Sequence, residues 1–271
     1  MKTENLNVRF GELTITKADL ERLGPRLAQA FVSTSFVSQE IREFIRLVDG
    51  AIVENDTEQK VQLMETTQRG ILLRTLAMKV ENFLAIWANL LSKATIHKED
   101  EFGILKELYD HHKKNFASLD GHPGKEIASH IRNRITAHAD LVGIQTAIEM
   151  TMENWTHSIL YCEDQGNSFF AIGEDIVFGL GLRHENGRKN GSPEKRYTPS
   201  EGLDRLGIWQ GYVILAAKIC LDYHFDLIHD VPPKALGKES VTWVHTSIPN
   251  GRHSTLEDFR LPVYSHRPVS E

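Results

Sequence analysis

The residues best suited to chemistry lie in the stretch SHIRNRITAHAD, residues 129–140. It contains two histidines, His130 and His138, and two arginines, Arg132 and Arg134. Histidine exchanges a proton near neutral pH, and the planar guanidinium of arginine is suited to binding a phosphate or a carboxylate. The stretch therefore offers both a general acid/base and a fixed cation within a short segment.

The stretch is also predicted to be an amphipathic helix. Its apolar side chains fall on one narrow stripe of a helical wheel, formed by Ile127, Ile131, Ile135 and Val142. Arg134 and His138 lie inside that stripe, and His130 lies at its edge. Arg132 and Asn133 lie to its sides. An arginine in an apolar stripe is costly when it is desolvated without a partner.

Two interpretations of these side chains are open. In the first, the inner arginine extends to solvent or meets an acidic residue of the long helix, and the histidine is a satisfied core residue. In the second, both lie in a functional cleft. The spacing of the residues alone favours the first interpretation.

The order of the residues carries a resemblance. Arg132 and Asn133, followed by four residues and then His138, resemble the signature of the HEPN superfamily. That signature is an arginine, a polar residue and, four to six residues after the arginine, a histidine. The string RNRITAHAD is similar to the abortive-infection branch in particular, and the resemblance covers residues 35–155 approximately.

The resemblance implies a metal-independent RNA endonuclease, of the toxin or antiviral-defence type, that works as a homodimer. Arg132 and His138 would be catalytic, and Asn133 would orient the substrate or the partner arginine. His130, Arg134 and Asp140 would support the site. RNA would be the substrate, and an antitoxin or defence protein would be a partner.

The geometry of a helix is consistent with a dimer. Residues six positions apart on one helix, such as Arg132 and His138, are about 9 Å apart along the axis and about 120° apart in azimuth. One copy is therefore poorly shaped to surround a phosphate, whereas two copies across a two-fold axis would do better. Such an interface cleft would also accommodate Arg134.

The chain departs from the family pattern at Asp140. Many toxin members paired with a nucleotidyltransferase antitoxin carry a tyrosine there, so regulation by AMP attachment to that tyrosine is not expected. Asp140 would instead orient His138 or cap the helix. Many family members have lost catalysis, and the alternative function is a catalytically inactive HEPN-type interaction or dimerisation protein. A third class is a helical ligand-binding protein unrelated to HEPN.

Charge and composition limit the partners. The 271-residue chain has a formal net charge of −6, so any contact with RNA must be local. The basic loop 183–196 is a weak RNA-binding candidate; its cations include Arg188, Lys189, Lys195 and Arg196. A solvated surface linker is the other interpretation of this loop.

Two isolated cysteines and a start without a signal peptide favour the cytoplasm. The most apolar segment, 207–225, contains Lys218 and Asp222, so it predicts a buried helix and no membrane partner. The histidines of DHH, residues 110–112, and His122 are candidate metal ligands together with Asp120. No zinc motif is present, and neither a metal nor another cofactor is expected.

The predicted fold is mainly α, a HEPN-like helical bundle with a long central helix, a small β-hairpin or meander insertion and an irregular C-terminal tail. One domain spans 17–228, with the insertion at about 157–200, and the tail 229–271 packs on it. The predicted elements are helices at 17–53 (broken near STSFVS, with Ser38 as a cap), 57–92, 99–119, 127–155 and 198–228, and strands at SILYC, SFFAIG and DIVFGLGL. The last helix has Thr198 or Ser200 as its predicted cap, with Pro199 in the first turn.

Overall fold

The computed structural model describes residues 5–50, 59–91, 102–132, 174–185, 195–238 and 242–249, together with residues 145, 148, 149, 151 and 172. These parts of the chain are mainly helical, as predicted. Their helices are α1 Lys17–Arg22, α2 Gly24–Gly50, α3 Gln59–Ile86, α4 Ile104–Asp120, α5 Pro123–Ile131, α6 Gly179–Arg183 and α7 Pro199–Val231. Their strands are β1 Asn5–Glu12, β2 His184–Glu185, β3 Lys195–Arg196 and β4 Thr242–Pro249. Single π-helical turns extend the helices at Trp87–Leu91, Glu174–Phe178 and Pro232–Leu236.

Helix α7 is the centre of the bundle and packs against α2, α3, α4 and α5. Its start follows the predicted capping pattern. The Thr198 hydroxyl accepts a hydrogen bond from the Glu201 amide, and the Glu201 carboxylate accepts one from the Thr198 amide, with Pro199 in the first turn. The long helix predicted at 57–92 is confirmed over 59–91, but α7, not α3, occupies the central position.

Helix α2 differs from its prediction, because it runs without a break through STSFVS. Ser38, the predicted cap, is fully buried in the middle of the helix. The hydroxyl of Thr34 donates to the carbonyl of Ala30 at 2.7 Å, one turn earlier. Hydroxyl side chains can therefore be satisfied inside a helix by the preceding turn, and they do not by themselves end it.

The insertion also differs from its prediction. DIVFGLGL, predicted as a strand, forms the π-helical turn at Glu174–Phe178 and helix α6. Phe178 and Leu182 are both buried, four residues apart, and the Phe178 ring lies 5.4 Å from the ring of Trp209. The burial thus follows a helical period. SILYC and SFFAIG lie outside the described residues.

Two antiparallel strand pairs are present in the described chain. Strands β2 and β3 form a two-residue ladder at the base of the basic loop. Strand β1 pairs with β4 along eight residues, from Asn5 opposite Pro249 to Glu12 opposite Thr242. Neither of these two segments is predicted as a strand from the sequence, and β4 lies in the segment predicted to be an irregular tail.

An aromatic cluster joins α3, α4 and α7 in the core. The ring of Trp87, in the π-helical turn after α3, stacks on Phe116 of α4 with centroids 3.8 Å apart. Phe83 of α3 meets Tyr223 of α7 edge to face at 6.1 Å. This cluster fixes three of the helices relative to one another.

Helix α5, which carries Arg132 at its end, approaches α7 closely at Gly124. A Cβ atom on Gly124 would overlap the Cβ of Tyr212 and would lie 2.7 Å from the carbonyl oxygen of Ile208. Neither neighbour can move without shifting the backbone of α7. The absence of a side chain at residue 124 therefore sets how closely these two helices pack.

We expect Gly124→Ala to lower the free energy of unfolding by about 1–3 kcal/mol through overpacking, despite the better helix propensity of alanine. Gly211→Ala is the matched control, because a Cβ on that exposed helical glycine meets nothing within 4 Å. It should raise stability by about 0.5–1 kcal/mol. Urea unfolding of both variants measures the two effects, and a stabilised Gly124→Ala protein would contradict the close packing.

A buried histidine on α7 predicts a dependence of stability on pH. His224 is buried, and its Nε2 lies 3.1 Å from the hydroxyl of Ser35. Burial, together with the charge of Arg42, lowers the pKa of His224 to about 4. In the unfolded chain this histidine takes up a proton near pH 6.5. Between those two values the unfolded state binds more protons, so stability falls as the pH falls.

We therefore expect wild-type protein to lose about 2 kcal/mol more between pH 7 and pH 5 than a His224→Gln variant. Urea unfolding of both proteins at both pH values gives this difference. The other histidines are common to both proteins and cancel. An equal loss in the two proteins would show that His224 is not held neutral by the fold.

Candidate functional site at the end of helix α5

Arg132 directly follows the last residue of α5 and faces away from the core. Ile127 and Ile131, one turn apart, are buried, so the side of the helix that packs on the bundle matches the apolar stripe of the sequence. The Arg132 side chain is 54% exposed, and its Nη1 donates to Oε2 of Glu81 on α3 at 3.1 Å. The guanidinium is thus at the surface and oriented by one carboxylate.

A narrow cleft opens beside this ion pair, between α3, α5 and α7. Its lining residues are Arg74, Ala77, Met78, Glu81, Ala128, Ile131, Arg132 and Trp209. The cleft has about 10 Å³ of water-accessible volume, which is room for one water molecule. A nucleotide does not fit inside it. A phosphate that met Arg132 would therefore lie at the surface, over the mouth of the cleft.

The walls of the cleft combine two arginines with one carboxylate, since Arg74 and Arg132 both line it with Glu81. The Arg74 guanidinium lies 5.6 Å from the centroid of the Phe178 ring. This contact directs the side chain toward the π-helical turn before α6. The indole N–H of Trp209 is buried and reaches no hydrogen-bond acceptor within the described parts of the chain. A single bound water would satisfy it.

Tyr212 of α7 packs beneath α5. The Tyr212 hydroxyl is buried and has no hydrogen-bond partner in the described residues. Burial, followed by the negative charge of Glu81, raises the pKa of Tyr212, so this phenol stays neutral. Tyr212 is therefore part of the packing that positions α5, and it does not supply a proton acceptor at the site.

The remaining predicted site residues divide into two groups. His130 is half-buried in the last turn of α5, and Lys195 and Arg196 are exposed on β3. The other predicted residues lie outside the described residues; they are Asn133, Arg134, His138, Asp140, Arg188 and Lys189.

The structure does connect the base of the basic loop with α5. Helix α6 packs against α5, and strand β2 follows α6 directly. The amide of Tyr197, next to β3, donates to the carbonyl of Arg183 at 2.8 Å. The guanidinium of Arg205 lies 4.1 Å from the centroid of the Tyr197 ring. Lys195 and Arg196 are thus attached to a helix that contacts the one carrying Arg132.

Sequence reasoning missed Glu81, Arg74 and Trp209. One interpretation of the sequence paired the inner Arg134 with an acidic residue of the long helix. The structure places an acidic residue of that helix, Glu81, against Arg132. Glu81 is one of two acidic residues of α3, the other being Glu65, and it lies 51 positions from Arg132 along the chain. No local pattern in the sequence indicates which of the two meets an arginine of the later helix.

Comparison of the chain with family models, with curated proteins and with solved structures found no match. Among the described residues, no helix is both long enough and apolar enough to cross a membrane. What the structure defines is a mainly helical protein with an exposed, oriented arginine at the end of a short internal helix.

Proposed function

We propose that this protein is a metal-independent RNA endonuclease of the HEPN type, acting in toxin or antiviral function as a homodimer. Arg132 and His138 of both chains would form its composite site. The observation that carries the proposal is the position of Arg132. Its side chain is exposed at the end of a helix of the bundle and is oriented by Glu81. The motif that begins at this residue supplies the remaining chemistry.

The reaction uses the ribose 2′-hydroxyl as the internal nucleophile. Its oxygen attacks the adjacent phosphorus, the bond from phosphorus to the 5′-oxygen of the next nucleotide breaks, and a 2′,3′-cyclic phosphate remains. His138 of one chain accepts the proton of the hydroxyl, and His138 of the other chain protonates the leaving oxygen. Arg132 stabilises the negative charge that builds on the phosphate oxygens.

The ion pair with Glu81 is compatible with this role. A guanidinium has five N–H donors in a fixed fork, and Glu81 accepts from one of its nitrogens. Donors remain for a phosphate, and the carboxylate limits the orientations of the side chain. Preorientation of this kind is what electrostatic stabilisation of a transition state requires.

The second candidate is a catalytically inactive HEPN-type interaction or dimerisation protein. The same ion pair favours it, because a structural arginine is satisfied in this way, with its charge largely compensated. The net charge of −6 also gives no general attraction for RNA. In the endonuclease, Arg132 binds a phosphate of RNA in addition to Glu81 or in its place. In the interaction protein, Arg132 binds Glu81 without a phosphate.

The deciding experiment is incubation of the full chain with single-stranded RNA in EDTA, with analysis of the product ends. We expect cleavage to persist in EDTA and to give 2′,3′-cyclic phosphates. Scattering at micromolar concentration should show a dimer. A folded dimer that cuts no RNA would favour the interaction protein, and a strict monomer would exclude the composite site.

A further inference from the structure

Three side chains with metal-binding atoms meet between α4 and α7. Nε2 of His112 lies 2.8 Å from Oδ2 of Asp226, and Nε2 of His111 lies 3.9 Å from the same oxygen. All three donor atoms lie within 4.8 Å of one another. Two imidazole nitrogens and a carboxylate oxygen form a ligand set typical of zinc and related divalent ions.

We propose that His111, His112 and Asp226 bind a divalent transition-metal ion such as Zn²⁺. Bonds of about 2.0–2.2 Å in a tetrahedral site place the ligand atoms about 3.3 Å apart. The observed separations lie on both sides of that value, so the contact between His112 and Asp226 must open slightly while His111 moves inward. The His111 side chain is 72% exposed and has room for this movement.

The arrangement of the two histidine rings supports a common ligand. Consecutive residues on a helix normally point in different directions. Here the ring centroids of His111 and His112 are 4.7 Å apart, and the ring planes are nearly perpendicular. His112 is buried against Tyr223 and cannot turn away. The exposed ring of His111 is therefore the one that converges on Asp226.

The surroundings limit the strength of the site. Nδ1 of His112 is buried and has no hydrogen-bond partner within the described residues. Histidine ligands usually donate this second ring N–H to an acceptor, and loss of such a partner weakens binding about 10–100-fold. Exposure of His111 and Asp226 leaves the remaining coordination positions to water. We therefore expect an exchangeable ion.

The metal site is separate from Arg132, and its inference does not rest on the proposed function. Trp209, which lines the cleft beside Arg132, precedes Asp226 by 17 positions on α7. That spacing corresponds to about 25 Å along the helix. An ion at this site would join α4 to α7 and would take no part in cleavage at Arg132.

In the sequence the same two histidines are grouped with Asp120 and His122, and no metal is predicted there. In the structure Asp120 pairs with Lys125 at 2.6 Å, and the Nδ1 of His122 accepts from the amide of Gly124 to cap α5. The third donor, Asp226, comes from α7, 114 positions beyond His112.

The test is a Zn²⁺ titration of the metal-stripped full chain in competition with a chromogenic chelator, with Co²⁺ absorption as a second reading. We expect one ion per chain and a rise in Tm on binding. His111→Ala and Asp226→Asn should each weaken binding more than tenfold. His229→Ala is the matched control, because exposed His229 also lies 3.9 Å from an aspartate, Asp230, and no third metal-binding side chain joins them among the described residues.

His111→Ala decides the outcome, since this exposed side chain contributes little to folding. Asp226→Asn also weakens the contact with buried His112, so circular dichroism must first show that this variant is folded. Unchanged Zn²⁺ affinity in His111→Ala would overturn the site. Absence of saturable Zn²⁺ and Co²⁺ binding by folded wild-type protein would overturn it as well.

Discussion

Replacement of His138 by alanine is expected to lower the rate of RNA cleavage by about 10²–10⁴-fold, the usual contribution of general acid–base catalysis. Arg132→Ala should cost about 10²–10³-fold, because it removes the cation that stabilises the transition-state charge. Single-turnover cleavage of single-stranded RNA measures both losses. Neither variant should change the dimer or its Tm appreciably.

Arg46→Ala is the matched control for Arg132→Ala. Arg46 on α2 forms an ion pair with Glu43 at 3.0 Å, nearly the same length as the pair of Arg132 with Glu81. Loss of that pair should leave cleavage unchanged. Lys189→Ala in the basic loop should alter only RNA affinity and its dependence on salt.

The outcomes separate the proposals. Equal loss of cleavage in Arg46→Ala and Arg132→Ala would mean that the effect is one of stability and not of catalysis. A His138→Ala protein that unfolds would show that this histidine is a core residue, as the alternative interpretation of SHIRNRITAHAD holds. A cleaving His138→Ala protein would exclude His138 as the acid/base.

The largest expected effect on stability is that of Phe83→Ala. Phe83 is fully buried and its ring contacts Tyr223 of α7 and Phe116 of α4. Its truncation leaves a cavity where three helices meet, and we expect a loss of about 3–5 kcal/mol in the free energy of unfolding. That is a large part of the stability of a typical domain, so urea denaturation should reveal it plainly.

Phe225→Ala on α7 serves as the control, because Phe225 is 57% exposed. Its loss should change the unfolding free energy by about 0.5 kcal/mol or less. Comparable losses in the two variants would contradict the central position of the aromatic cluster. A small loss in Phe83→Ala would mean that α3, α4 and α7 do not meet there.

The helical character of the chain and the cap of α7 can be predicted from the sequence. The sequence predicts the start of α7 from Pro199 and from a cap at Thr198 or Ser200, and the structure shows Thr198 as the cap. The helical spacing of apolar residues likewise predicted α3, with Leu76, Val80 and Phe83 buried in the core. Caps and helical periodicity depend on neighbours along the chain, so a sequence shows them directly.

Two predictions from local sequence were wrong, the break in α2 and the strand before the basic loop. The hydroxyl residues of STSFVS suggested an end to the helix, but Thr34 bonds back to the preceding turn and α2 continues. DIVFGLGL suggested a strand, but burial of Phe178 and Leu182 against α7 selects a helix. In the second segment, packing against the rest of the chain outweighed a weak intrinsic preference for a strand.

Contacts between residues that are distant in the sequence become visible only in the folded chain. Folding brings Glu81 to Arg132 across 51 positions, Asp226 to His112 across 114, and β4 to β1 across nearly the whole chain. Each of these contacts joins common residue types that occur many times in the sequence. Their pairing depends on how the helices and strands pack against one another, and that arrangement leaves no mark in the spacing of either partner.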